Sequence, residues 1–222
     1  MAEHPRIAIR PELSAQGIRK RPNPMLASVL QELGTLGFMR SSSPLVVDCG
    51  CGQLRHAEML LSLSSRLVLV DTPYQLDSAH DFLGQKRTIR LFVKHTWPRE
   101  RISIMSTDEF YGSALNADVV FSINVLDVVP ARTRSAMLRA CLRNLRRGGI
   151  FVAIVPRNDA WTQRICTPQA SYHDGYIFQH PRGHTYYRNW SGDSLAQFIK
   201  RRGFRVVKDL SIYRQACLLC TR

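Results

Sequence analysis

Five apolar runs of strand length alternate with helix-like stretches along most of the chain. The runs are PLVVDCG (44–50), RLVLVD (66–71), RISIMS (101–106), ADVVFSI (117–123) and GIFVAIVP (149–156). The helix-like stretches cover residues 24–38, 54–63, 73–83 and 130–147. Strands that are apolar throughout, and that are joined by helical crossovers, indicate a parallel sheet with helices on both faces. The sequence therefore predicts a three-layer α/β/α fold.

The C-terminal part of the chain departs from this alternation. SGDSLAQFIKRRGF (191–204) predicts a capped helix that ends at Gly203. Two strand-like runs follow, RVVKDL (205–210) and ACLLCT (216–221), with only five residues between them. Because so short a link cannot hold a crossover helix, these two strands must be antiparallel. One of them must therefore run against the rest of the sheet.

Length and composition fit one ordinary globular domain of 222 residues, 45% of them hydrophobic. No apolar run approaches the ~18 residues of a membrane span. The N-terminus has charges where a signal peptide has its apolar core. The six cysteines fit a reducing compartment. We therefore expect a cytoplasmic protein that does not bind a membrane.

No set of side chains follows a metal-binding pattern. Cys217 and Cys220 fall in a strand-like run, where buried small hydrophobic residues are the better interpretation. A zinc site could also be drawn from Cys166, His173, His180 and His184, but their spacing matches no established pattern. The prediction is that the chain has no metal site.

The chain is strongly basic, with 31 Lys+Arg against 17 Asp+Glu and a net charge of +14. Such an excess attracts polyanions at long range. The basic residues concentrate in a short N-terminal run, Arg19, Lys20 and Arg21. They also concentrate on one face of the predicted helix 130–147, at Arg132, Arg139, Arg143 and Arg146. A nucleic acid or another phosphate-bearing partner is one interpretation, and a solvated helix face is the other.

The stretch LVVDCGCGQLRH (45–56) joins the first apolar run to a Gly-x-Gly turn. The backbone amides of such a turn approach a ligand at the carboxyl edge of a parallel sheet. A dinucleotide site would need a third small residue where this chain has Arg55, and Asp48 would repel a pyrophosphate. Asp71 ends the second run, 19 residues after Gly52, where a carboxylate can accept both hydroxyls of a ribose. Together these features predict a nucleoside ligand that carries a positive charge.

The order and spacing of these runs resemble the class I S-adenosylmethionine-dependent methyltransferases over residues 24–222. VVDCGCG is similar to the first motif of the family, and LVLVD to its second strand with the ribose-binding acid. IMSTDEF, ADVVFSINVLDVVP and LRNLRRGGIFVAIVP follow in the order of the family's later motifs. The resemblance implies a Rossmann-like, doubly wound, seven-stranded sheet that is mostly parallel and has a reversed final strand.

The resemblance also implies a cofactor, S-adenosylmethionine, and a set of residues that bind it. These are Asp48, Gly50, Cys51, Gly52, Arg55, Asp71, Thr72, Asp108 and Asn124. Asp71 would bind the ribose, Asp108 the adenine amino group, and Asn124 would lie near the methionine portion. The chain departs from the family at Val128, where a histidine is frequent. It also lacks the Asn/Asp-Pro-Pro-aromatic motif of amino-methylating DNA enzymes, which disfavours exocyclic amines of DNA as acceptors.

Residues 157–190 form a long connection rich in aromatic, histidine and arginine side chains, which predicts either a lid over the site or a self-packed cap. Within it, His173 and His184 are candidates for a general base, whereas His56 is expected near the donor's carboxylate. We divide the chain into an N-terminal basic segment with a cap helix (1–40) and a methyltransferase domain (41–222).

The acceptor is an oxygen or a nitrogen atom in all catalytic interpretations. The excess of arginine favours a nucleic acid or another phosphate-bearing substrate. Small size and the aromatic connection favour an aromatic or carboxylate metabolite. The absent third glycine also leaves open a non-catalytic module that binds the donor and regulates a partner.

Overall fold

A seven-stranded sheet lies at the centre of the protein. The computed structural model describes residues 8–11, 21–37, 43–157 and 171–222. The helices in these ranges are α1 (Pro24–Thr35), α2 (Ala57–Leu63), α3 (Pro73–Asp77), α4 (Ile89–Thr96), α5 (Thr107–Gly112), α6 (Ala131–Asn144) and α7 (Gly192–Lys200). The first strands are β1 (Leu45–Cys49), β2 (Arg66–Asp71), β3 (His80–Phe82), β4 (Gln85–Arg87), β5 (Ile102–Ser106) and β6 (Ala117–Ile123). The later strands are β7 (Leu145–Pro156), β8 (Ser171–Tyr172), β9 (Gly175–His180), β10 (Gly183–Tyr187), β11 (Arg205–Asp209) and β12 (Gln215–Thr221).

The strand order of the central sheet is β11-β12-β7-β6-β1-β2-β5. The five strands from β7 to β5 in this order pair with one another in parallel. β12 is antiparallel to both β7 and β11, and it is the reversed strand. This confirms the predicted seven-stranded, mostly parallel sheet with a reversed final strand.

Side chains of the sheet enter two apolar layers, one on each face, as strand alternation requires. One layer joins Val46 and Leu69 to α1, α2 and α4. The other joins Val47 and Val70 to α5, α6 and α7. The predicted α/β/α layering is therefore confirmed. Cys217 enters the first layer and Cys220 the second, so their side chains point to opposite faces of the sheet.

The four stretches predicted as helices before β7 are helical over fewer residues than expected, and the differences are largest at 73–83 and 130–147. The stretch 73–83 is helical only over α3, and a two-stranded hairpin of β3 and β4 follows, with Leu83 and Gly84 at positive φ in its turn. The helix predicted over 130–147 ends at Asn144, whose side-chain amide donates to the carbonyl oxygen of Phe110 and accepts from the backbone N–H of Leu115. These bonds link the end of α6 to α5 and to the loop between α5 and β6. β7 begins at the next residue, Leu145.

The described part of the long connection, 171–190, contains a three-stranded antiparallel sheet of β8, β9 and β10. The N-terminal segment reaches this sheet, because Ile9 forms a bridge with His184 and the Arg10 N–H donates to the His184 carbonyl oxygen at 2.8 Å. Residues 158–170, with Trp161, Arg164 and Cys166, lie outside the described residues, as does the predicted domain boundary at residue 40. None of the helices described in the structure is long and apolar enough to cross a membrane.

Candidate active site

The glycine turn after β1 brings the backbone close to the loop after β6. Gly50 has a φ of +90°, a conformation that favours glycine. A Cβ at this position would lie 2.3 Å from Cγ2 of Val125, so no larger residue fits without movement. The N–H groups of Gly50 and Cys51 both donate to the Val70 carbonyl oxygen, which ties the turn to β2.

Asp71, at the carboxyl end of β2, faces this turn. Its Oδ2 accepts the Gly52 N–H at 2.7 Å, and its Oδ1 accepts the N–H of Thr72 at 2.8 Å. A carboxylate has further acceptor positions on both oxygens, so these two bonds orient the group without exhausting it. Asp71 is therefore fixed at the edge of the sheet where a ribose would bind.

Asp48 lies in β1, two residues before Gly50, and is buried, with an exposed fraction of 1%. Neither carboxyl oxygen has a hydrogen-bond partner among the described residues. Burial, and then the charge of Asp71, raise the pKa of Asp48 to about 7. A buried carboxyl without partners favours a bound cation, because the cation supplies the charge that the surroundings lack.

A first cavity of about 260 Å³ lies over the ends of β1, β2 and β6. Its polar rim contains Gly50, Gly52, Asp71, Thr72 and Asn124, and its other walls include Pro11, Gln75, Thr107, Tyr111, Val125, Val129 and Met137. An apolar slot with a few polar groups at one end is the usual form of a nucleoside site.

A second cavity of about 450 Å³ continues from the first, since Gly50, Gly52, Asn124 and Val128 line both. Its other lining residues are Asn23, Pro24, Cys51, Arg55, His56, Ile123, Asp127, Pro156, Tyr187 and Gln215. Three of these side chains hold a buried polar atom that has no hydrogen-bond partner among the described residues, namely His56 Nε2, Asp127 Oδ1 and Gln215 Oε1. Buried polar groups are almost always paired, so these three atoms favour a polar ligand in this cavity.

His56 and Asp127 carry shifted pKa values in this cavity. Burial, followed by the charge of Arg55, lowers the pKa of His56 to about 4, so the imidazole is neutral at neutral pH. Burial raises the pKa of Asp127 to about 7, although its backbone hydrogen bond and Arg134 act in the opposite direction. The cavity therefore holds one neutral ring and one carboxyl that titrates near neutral pH.

A buried side chain of α6 and a backbone group just after β10 hold the loop after β6 in place. Arg134 is fully buried, donates to the Leu126 carbonyl oxygen at 3.1 Å, and binds both carboxylate oxygens of Asp174 at 2.7 and 2.6 Å. The Arg188 N–H donates to the carbonyl oxygen of Asp127 at 2.8 Å. Such contacts limit the positions open to the Asp127 side chain.

Comparison with known proteins identifies the family. Residues 47–153 match a family model described as a methyltransferase domain. Residues 47–153 therefore form a methyltransferase domain, and the fold is that of the class I S-adenosylmethionine-dependent methyltransferases. Similar solved structures contain S-adenosylmethionine or its demethylated product, S-adenosylhomocysteine, which supports S-adenosylmethionine as the methyl donor.

Individual relatives are distant. An uncharacterised protein of Escherichia coli strain K12, YmfD, is 23% identical over 167 residues, 74% of each chain. The 1,6-didemethyltoxoflavin N1-methyltransferase of Burkholderia thailandensis has a TM-score of 0.58 and 13% identity, over 88% of this chain and 78% of its own. The magnesium protoporphyrin IX methyltransferase of Synechocystis has a TM-score of 0.59 and 16% identity, over 89% of this chain and 82% of its own. At these identities the structural matches establish the fold.

The residues of the methyltransferase domain fit this donor. The close approach at Gly50, the carboxylate of Asp71 held at the edge of the sheet and the unpartnered Asp48 match a cationic nucleoside. Of the predicted donor residues, Gly50, Gly52, Asp71, Thr72 and Asn124 line the first cavity, and Cys51 and Arg55 line the second.

Some predicted site residues lie elsewhere in the methyltransferase domain. Asp108 is exposed in the first turn of α5, and Thr107 beside it lines the first cavity instead. His173 is exposed at positive φ in the turn between β8 and β9. His184 is half-buried on β10, where its backbone pairs with Arg10. Neither histidine is among the lining residues of the two cavities.

Sequence reasoning did not single out Asp127 or Gln215. Asp127 lies three residues after Asn124, within a stretch whose pattern already resembled a known loop of the family, and an acid in an apolar VLDVV context is a detectable signal. Gln215 begins β12, and nothing local marks it, because only the sheet order brings it beside the glycine turn.

Proposed function

We propose that this domain methylates an oxygen or nitrogen atom of a small polar molecule that binds in the second cavity. The observation that carries the proposal is the continuity of the two cavities, which share Gly50, Gly52, Asn124 and Val128. An acceptor in the second cavity would therefore contact a donor held in the first.

The donor would be held by backbone groups of the glycine turn and by two carboxylates. Asp71 would accept the ribose hydroxyls, and Asp48 would balance the positive charge near the methionine portion. The donor supplies an activated methyl group. The protein's main contribution is to align the acceptor with it and to exclude water, which can be worth ~7–11 kcal/mol.

The size and polarity of the second cavity favour a small molecule over a polymer. Its volume of about 450 Å³ falls in the range of small-molecule pockets, roughly 300–1,000 Å³. The unpartnered atoms of His56, Asp127 and Gln215 call for an acceptor with several hydrogen-bonding groups. Two of the similar solved structures also belong to enzymes whose names specify small molecules, a didemethyltoxoflavin and a magnesium porphyrin.

Binding of a nucleic acid stays a prediction. Some of the arginines proposed to bind it form contacts within the domain instead. Arg143 donates to the carbonyl oxygens of Tyr111 and Ser113, and Arg146 forms an ion pair with Asp118 at 2.6 Å. Arg132 and Arg139 are exposed on α6, as is Arg21 near the start of the first described helix. Arg19 and Lys20 lie outside the described residues.

Donor labelled with tritium on the methyl group tests the proposal against its alternatives. The protein is incubated with this donor and, separately, with the low-molecular-weight fraction, total RNA and DNA of the source cells. We expect label in a small molecule, at a rate insensitive to moderate salt. Label in RNA or DNA, lost steeply as salt rises, would support the nucleic-acid hypothesis instead. Donor binding without transfer to any fraction would favour a regulatory module.

A further inference from the structure

We propose that Asp127 is the general base of this methyltransferase, and that the acceptor is methylated at an O–H or N–H group whose proton passes to Asp127. This proposal rests on the proposed function, since it places the acceptor in the second cavity. It also narrows the acceptor class, because an atom without a proton to lose would need no such base.

The position of Asp127 supports this role. Its side chain lines the second cavity, is only 3% exposed, and presents an Oδ1 without a hydrogen-bond partner among the described residues. Asn124, three residues earlier in the same loop, lines both cavities. In the chain, Asp127 lies between Asn124 and Val128, both of which line the two cavities, and bound acceptor would supply the missing hydrogen-bond donor.

The loop that carries Asp127 is held on both sides, which a base requires. Arg134 and the indole N–H of Trp190 both donate to the Leu126 carbonyl oxygen, and the Arg188 N–H donates to the carbonyl oxygen of Asp127 itself. These backbone contacts position the loop, and Asp127 Oδ1 itself accepts no hydrogen bond from the described residues.

The surroundings of Asp127 also favour proton transfer near neutral pH. The titratable and charged groups around it are Arg55 and His56 across the cavity, Arg134 from α6, and Tyr187 and Arg188 from β10 and its end. Burial outweighs the attraction of Arg134 and gives Asp127 a pKa of about 7, which suits a base at neutral pH. The pKa of His56, about 4, makes the imidazole a much weaker base, so it would orient the acceptor by a hydrogen bond.

The transfer step balances with no further reactant. The acceptor oxygen or nitrogen forms a bond to the methyl carbon, and the bond from that carbon to sulfur breaks with its electron pair on sulfur. The acceptor proton moves to Asp127 Oδ1, which becomes a carboxylic acid and later releases the proton to solvent. The products are the methylated acceptor and neutral S-adenosylhomocysteine.

Three variants test the assignment, with the tritium-labelled donor at saturation and, as acceptor, the small molecule that the unmodified protein labels in the low-molecular-weight fraction. Asp127→Asn keeps the shape of the side chain and removes the base, so we expect kcat to fall about 100-fold or more. Binding of S-adenosylhomocysteine, measured by calorimetry, should stay within about twofold of the unmodified protein. Asp193→Asn, at an exposed carboxyl in the first turn of α7, serves as the control and should change neither quantity.

Two further readouts separate a base from a merely structural carboxyl. In the unmodified protein kcat should rise between pH 6 and 8, and this rise should be absent from Asp127→Asn. In Asp127→Ala, added formate should restore part of the activity, because the small acid can occupy the vacated space. Full activity of Asp127→Asn, or an unchanged pH profile, overturns the proposal. Absence of transfer by the unmodified protein to any small molecule overturns the proposed function instead.

Discussion

The unmodified domain should bind S-adenosylhomocysteine, the demethylated donor, more tightly as pH rises from 6 to 8. Replacement of Asp48 by asparagine should abolish this pH dependence. Asp48 is buried in β1 beside the glycine turn, and its carboxyl has a pKa of about 7 because of burial and the nearby charge of Asp71. S-adenosylhomocysteine carries an α-ammonium group, which the ionised form of Asp48 attracts and the protonated form does not. Binding of this product is therefore coupled to ionisation of Asp48.

The magnitude follows from the pKa. A carboxyl with a pKa of about 7 is roughly one-tenth ionised at pH 6 and roughly nine-tenths ionised at pH 8. If only the ionised form binds well, affinity should rise about tenfold over this interval, or about 1.4 kcal/mol. At pH 7 about half of the free molecules carry a proton on Asp48, so binding should release about half a proton.

Isothermal titration of S-adenosylhomocysteine at pH 6, 7 and 8 measures both quantities. Two buffers of different ionisation enthalpy at pH 7 give the number of protons released. The Asp48→Asn variant should bind weakly at every pH and release no proton through this residue. Asp127→Asn is the matched control, since it removes the other buried carboxyl with a pKa of about 7 but should keep the pH dependence. A flat affinity in the unmodified domain, or the same slope in Asp48→Asn, would refute the reasoning.

Three further predictions concern the turn, the buried arginine and the stability of the apoprotein. Gly50→Ala should weaken S-adenosylhomocysteine binding at least about tenfold, because of its positive φ and close contact, whereas Gly112→Ala, with open space around it, should not. Arg134→Met should lower the free energy of unfolding in urea by about 1–2 kcal/mol, since the Leu126 carbonyl oxygen loses a donor while Asp174 keeps Arg188 and Tyr186 as partners. Stability of the apoprotein should fall as pH rises from about 5 to 8, because folding raises the pKa of Asp48 and of Asp127, which together outweigh the opposite effect of the lowered pKa of His56. The double asparagine variant should lose this fall and keep only the rise in Tm up to about pH 6.5 that His56 produces.

The central sheet could be predicted from sequence because its strands are apolar throughout and its connections constrain topology. The five-residue link before β12 forced an antiparallel pair, and the structure has it. Helix ends were less predictable. α6 ends at Asn144 because its side chain bonds to α5 and the loop after it, contacts between elements that no local pattern records.

The donor side of the site was more predictable than the acceptor side for a similar reason. Gly50, Gly52 and Asp71 act through short-range geometry at the ends of β1 and β2, which motif spacing reports. The second cavity combines His56, Asp127 and Gln215 from three separate parts of the chain. Histidines in the long connection were selected because of composition. The acid in VLDVV was detectable in the sequence, but nothing local showed that it lines the same cavity as His56 and Gln215.

Asp48 and Asp127 are both buried carboxyls, but they differ in the charged groups around them. In the proposed function this difference suits Asp48 to binding the donor and Asp127 to accepting a proton from the acceptor. Asp48 has no partner and lies behind the glycine turn, so a bound cation would favour its ionised form permanently. Asp127 lies in a cavity opposite a neutral imidazole, with Arg134 near enough only to reduce its pKa in part. It can therefore exchange a proton near neutral pH. Burial raises both pKa values to a similar extent, and the ligand each carboxyl meets decides whether it holds charge or transfers a proton.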